Sequence, residues 1–251
     1  MCASPLTPAL SRKRERGKCP LFHNVGMGWG EGVCTAAIAC FLTSAESPAV
    51  TTPIEATQHW LQAAVIGLNL CPFAKAVHAK GQIRWVQSDA RDTAALREDL
   101  RCELLALAAA DPQVTDTTVL VHPLVLTDFL DFNDFLAEAD ELLAELALDG
   151  VLQVASFHPD YRFAGVKAKD ISHFSNRSPH PTLHLLREDS VDRAVATTPD
   201  AAEIYERNID TLRALGHVGW SALGITPGKS LLDAPQPEDN KPAGITGTGQ
   251  A

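Results

Sequence analysis

The strongest constraint on the fold is an alternation in the middle of the chain, where short β-branched runs are separated by long amphipathic stretches. Thr117–His122 (TTVLVH) has the composition of a strand. Phe132, Phe135, Leu136, Ala139, Leu142, Leu143 and Leu146 then recur at i, i+3, i+4, which places them on one face of a helix. The other face is acidic, with Asp134, Glu138, Asp140, Glu141 and Glu145, and is a solvated surface; it lacks the ligand spacing of a calcium loop. Asp149-Gly150 predicts the helix stop, and Val151–Phe157 a second, buried-type strand. Strands alternating with helices predict an α/β fold.

The flanks extend the pattern. Thr52-Pro53-Ile54-Glu55 is a capping box with proline at a favoured first helical position, and it opens an amphipathic helix over Pro53–Leu70. Cys71-Pro72 predicts a break, with Cys71 capping a short helix Pro72–His78. Gln82–Gln87 reads as a strand. A helix capped by Asp92 or Thr93 carries Leu96, Leu100, Leu104 and Leu107 on one stripe. Thr182–Leu186 is a fourth strand, and Asp189–Ala196 and Ala201–Leu215 are helical. A small mixed sheet of about four strands with packed helices follows, either a ferredoxin-like two-layer sandwich or a small open three-layer sheet.

Composition narrows the function classes. Lys+Arg 21 against Asp+Glu 31 leaves a net charge of -10, which argues against a nucleic-acid binder, since that needs a basic footprint. No apolar run approaches a bilayer span. Of the cysteines, Cys2, Cys19, Cys34 and Cys40 precede residue 50, and only Cys71 and Cys102 lie in the body. Two cysteines make no disulfide framework, so a reducing, cytoplasmic setting is expected. Residues 1–50 carry no sustained period and fit a signal peptide poorly; they read as a non-native or disordered extension, with the native start near Val50. Residues 51–223 form one α/β domain, and 224–251, rich in Pro, Gly and polar residues, a disordered tail.

His158 to Pro181 shows no periodicity, yet compact domains keep connections to roughly 4–6 residues, so a loop this long is functional or disordered. Tyr161, Phe163, Ile171 and Phe174 can pin it down, and it concentrates His158, Asp160, Asn176, Arg177 and Ser178. Three strings, Gly67–Ala74 (GLNLCPFA), Ala155–Gly165 (ASFHPDYRFAG) and Asn176–Glu188 (NRSPHPTLHLLRE), resemble a bacterial family catalogued as domain of unknown function fourteen-fifteen. The resemblance covers about Thr52 to Leu215 and implies no activity. It implies tyrosine as the more usual residue at the place of His180, which weakens that histidine as a catalyst.

Three chemical readings stay open. In the first, His158 is a general acid or base oriented by Asp160, and Arg177 with Asn176 and Ser178 clamps a small anionic substrate. Tyr161, His184 and Arg187 complete the candidate substrate-binding set. The plainer account is that His158-Pro159 caps a strand and Asp160 pairs with Arg162 or Arg177 to hold the loop. In the second, a metal sits among His158, Asp160, His184 and either His122 or Cys71, although no metal-ligand spacing supports it. In the third, Cys71 is a reactive thiol at a helix N-terminus, against the plainer account of a buried structural cysteine. A small-molecule enzyme acting on an anion leads; a non-catalytic metabolite or metal binder and a metal-dependent enzyme are the alternatives. No cofactor is indicated by any motif, and the oligomeric state is not legible.

Overall fold

A computed structural model of the chain describes residues 52–196, 203–225 and 227. The expected N-terminal extension and nearly all of the tail lie outside the described residues. Helix α1 (Pro53–Trp60) starts at the expected capping box: Thr52 Oγ1 accepts from the Glu55 amide at 3.2 Å, and the Thr52 amide donates to Glu55 at 2.9 Å. The helix continues as a wider π-helical turn, Leu61–Ile66, before Gly67. Cys71 does not cap the next helix. Helix α2 spans Ala74–Ala79 with Phe73 at its N-cap, because Pro72 and Phe73 form a turn first.

Strand β1 (Ile83–Gln87), helix α3 (Thr93–Ala109) and strand β2 (Thr117–Val121) follow, with Asp92 capping α3 through the Ala95 amide at 2.8 Å. Helix α4 (Phe129–Glu145) begins at Asp128, whose carboxylate accepts from the amides of Leu130 and Asp131. It ends before Asp149-Gly150. Ala147 turns into the left-handed region at φ 55, and the Leu148 amide bonds back to the Leu143 carbonyl. Strand β3 (Leu152–Phe157), a 3-10 turn (Ile171–Asn176), strand β4 (Thr182–Arg187), helix α5 (Glu188–Ala196) and helix α6 (Ile204–Ala222), broken by a kink at Gly216 where φ is 65, complete the order. The long loop thus holds one short helical segment that its sequence did not announce.

The sheet order is β1-β2-β4-β3, parallel between β1 and β2 and antiparallel at the two β4 pairings. Because β4 inserts between β2 and β3, the strands followed by His122-Pro123 and by His158-Pro159 do not pair. The open three-layer alternative is the one the chain adopts. On one face, Leu96, Leu100, Leu104 and Leu107 of α3 and Phe132, Phe135 and Leu142 of α4 pack on Leu120, Leu152, Leu183 and Leu185. On the other, Trp60, Leu61, Val65, Leu212 and Trp220 cover Ile83, Trp85 and Phe157. The two-residue period of each strand sends alternate side chains to the two cores. No helix among the described residues is long and apolar enough to cross a membrane.

Candidate functional site

The loop after β3 is held by its own histidines. The Asp160 amide donates to Nδ1 of His158 at 3.0 Å, so Nδ1 carries a lone pair and the ring proton sits on Nε2, which donates to the Leu126 carbonyl at 3.2 Å. His173 repeats the arrangement, with Nδ1 accepting from the Phe163 amide at 3.1 Å and Nε2 donating to the Lys167 carbonyl at 2.9 Å. Both rings are wholly buried. Burial also lowers the His158 pKa, against the opposing pull of the Leu126 carbonyl and of Asp160 and Asp128. His158 is therefore a neutral main-chain clamp packed between Phe129 and Phe132. What orients it is the Asp160 backbone; the Asp160 carboxylate makes no bond to the ring.

His122, at the end of β2, stacks on the same Phe132 at 5.8 Å. Its Nδ1 donates to the Val125 carbonyl, and burial holds its pKa to about 4. The two His-Pro histidines thus converge through a shared phenylalanine although their strands do not pair. Among the described residues, no group of three or more His, Cys, Asp or Glu is gathered to hold a metal. His184 faces the opposite side of the sheet from Leu183 and Leu185, hydrogen-bonded to Thr117 at 2.7 Å.

The remaining expected residues divide. Asn176 turns inward: its Nδ2 donates to the Ser156 carbonyl and its Oδ1 accepts from Ser175. Arg187 is committed elsewhere, since its Nη2 lies 2.6 and 2.8 Å from the carbonyls of Leu107 and Ala110 at the end of α3, and 3.3 Å from that of Thr115. Tyr161 packs between Phe129 and Phe163 and offers its carbonyl to Arg177.

Asp160, Arg177 and Ser178 do come together, on a cleft of about 620 Å³ whose wall also includes Phe174, His180 and Trp220. The Arg177 guanidinium lies 4.4 Å above the Phe174 ring, with Nε donating to the Tyr161 carbonyl at 3.2 Å. Burial lowers its pKa; Asp160 opposes that shift and Arg162 reinforces it. No carboxylate among the described residues closes an ion pair with it. A half-buried cation held by one carbonyl and one aromatic face keeps donors for an incoming anion.

His180, which the family resemblance weakens as a catalyst, also lies on this cleft. It sits between Pro179 and Pro181, and its carbonyl accepts from both Ser178 Oγ and Thr182 Oγ1. That fixes the backbone while its ring lines the cleft, where no protein group hydrogen-bonds to either nitrogen among the described residues. Burial lowers its pKa, which keeps the imidazole uncharged at neutral pH. The Pro-His-Pro string was the available signal: prolines on both sides remove the amides that would otherwise draw this segment into a ladder.

Cys71 stands away from this cleft, half-buried on the wall of a second, apolar cavity. A family model described as "Protein of unknown function (DUF1415)" matches residues 52–222. No curated protein and no solved structure matches the chain.

Proposed function

Because the chain belongs to the DUF1415 family, whose description names no activity, we propose a function from the cleft itself: it takes up a small organic anion and performs acid–base chemistry on it. The supporting observation is Arg177, a half-buried guanidinium stacked on Phe174 and lacking a carboxylate partner among the described residues. Such a cation favours a carboxylate or phosphate that can accept two of its donors. Asp160 on the same wall favours a ligand that also bears a hydroxyl or amide donor for its carboxylate. His180 supplies the proton-transfer group, since an uncharged, unclaimed imidazole beside a bound anion is positioned to accept a proton. This replaces His158 in that role, because both nitrogens of His158 are occupied by the main chain.

Calorimetric titration with inorganic phosphate, malonate and a panel of hydroxy acids and phosphate monoesters tests the proposal. At least one of these should bind, and Arg177→Ala should weaken it by about tenfold or more. Arg177→Lys should recover only part, because an ammonium cannot reproduce the planar fork. His180→Gln should keep affinity within an order of magnitude while removing turnover. An anion that binds Arg177→Ala as tightly as the parent chain would refute the clamp.

A further inference from the structure

A second cavity, of about 330 Å³, lies against the sheet face that carries Trp85 and Phe157, bounded also by Trp60, Cys71, Val77 of α2 and Val191 of α5. Its wall is mostly apolar, and its few polar side chains are largely committed. Thr182 Oγ1 donates to the His180 carbonyl, Ser175 Oγ bonds Ser172 and Asn176, and Ser190 Oγ donates to Asp116. Asp116 is the one carboxylate on the wall, and no cationic side chain faces it there.

His184 differs from these. Thr117 Oγ1 lies 2.7 Å from its Nε2 and 2.5 Å from the Leu185 carbonyl. A carbonyl only accepts, so the single hydroxyl proton of Thr117 goes to Leu185, and Oγ1 must accept from Nε2–H of His184. Nδ1 then carries the lone pair, and no protein donor reaches it among the described residues. Among the described residues, the wholly buried side-chain polar atoms without a partner are Nε1 of Trp60, Oγ1 of Thr118, Nε2 of His122 and Nε of Arg187. Nδ1 of His184 is not one of them. It therefore opens on accessible space, and the space that His184 lines is this cavity. Burial holds the ring neutral, with a pKa of about 4.

We infer that this cavity is a binding site for an uncharged, largely apolar small molecule of fused-bicyclic size that presents one hydroxyl or N–H donor to Nδ1 of His184. Size follows from volume: an apolar cavity of about 150 Å³ accommodates benzene, and this one has about 330 Å³. Charge follows from the wall. An anion would meet Asp116 and no cation, and any ion would lose hydration to an apolar surface. Polarity follows from Nδ1: a ligand without a donor would cover that acceptor and leave it unsatisfied. The site is separate from the anion cleft and does not depend on it.

Titration calorimetry of the full chain with matched probes tests this. Indole carries the donor, 1-methylindole blocks it, and indole-5-carboxylate and 5-aminomethylindole add a charge of either sign. Indole should bind, 1-methylindole about fivefold more weakly, and the charged probes about tenfold more weakly or worse. His184→Leu should erase the preference between indole and 1-methylindole, and Val77→Trp, which fills the cavity, should remove both. If His184→Leu does not fold, the probe series on the parent chain decides alone. Equal binding of indole and 1-methylindole, preference for a charged probe, or no binding by any of them overturns the inference. Arg177→Ala should leave indole binding unchanged, so failure here and failure of the anion clamp are read separately.

Discussion

Replacing Arg187 by alanine should destabilise the domain substantially while sparing its ligand site. A single nitrogen, Nη2, reaches three carbonyls, of Leu107 at 2.6 Å, Ala110 at 2.8 Å and Thr115 at 3.3 Å. It has two protons, so only the two shorter contacts count as full hydrogen bonds. Bonds from a charged donor contribute about 1.5–3 kcal/mol each, and the cation also sits at the C-terminus of α3, where the helix dipole favours it. Against this stand the cost of burying the guanidinium and Nε, which has no partner. The balance is a loss of about 3 kcal/mol, or a fall in Tm of about 6–12 °C for a domain of this size. Urea unfolding followed by tryptophan fluorescence measures it. Arg187→Lys should recover about half, since an ammonium reaches fewer of these acceptors at once. If Arg187→Ala unfolds within about 0.5 kcal/mol of the parent, the carbonyl-clamp reasoning is wrong. If the folded variant instead loses anion affinity, Arg187 belongs to the binding site after all.

His158→Ala should behave in the same way on a smaller scale, losing thermal stability because the Leu126 carbonyl and the Asp160 amide lose their partner; unchanged melting with abolished anion binding would restore it to the site. Phe132, wholly buried between His122 and His158, should cost about 3–5 kcal/mol on replacement by alanine, read by chemical denaturation. Thr52→Ala removes one half of the capping box and should cost about 1 kcal/mol, with fraying of α1 seen by amide exchange. The pH dependence has a definite sign. His122 has a folded pKa of about 4 against an ordinary value of 6.5, so the unfolded chain binds more protons between those values and stability falls as pH drops through that window. From this group alone, about 2 kcal/mol should be lost between pH 7 and pH 5, and a flat profile over that range would contradict its buried, neutral state.

Much of the scaffold was legible because its signals are local. The Thr52–Glu55 box, the Asp92 cap, the leucine stripe of α3 and the β-branched run of β2 each state their conformation within a few residues. The sites were only partly legible. Arg177, Asp160 and Ser178 do share a cleft, but the sequence could not show that Asn176 folds inward or that Arg187 is spent on the end of α3. It placed the chemistry on His158, since a histidine after a strand looks the same whether its nitrogens face a ligand or the main chain.

By itself, then, the sequence determined the elements, their periodicity, the acidic outer face of α4 and the loop in which polar groups concentrate. Only the tertiary structure decided strand order, and with it everything that depends on who lies beside whom. Inserting β4 between β2 and β3 is a non-local choice that no window of residues encodes. It turns His184 to the second core, with its Nε2 on Thr117 and Nδ1 left to a cavity. The same closure sets Arg177 on Phe174 and leaves His180 facing the cleft. Hydrogen-bond assignment is a property of neighbours in space, which is why His158 and His173 are each held by the main chain at both nitrogens while His184 is bonded through Nε2 to a threonine.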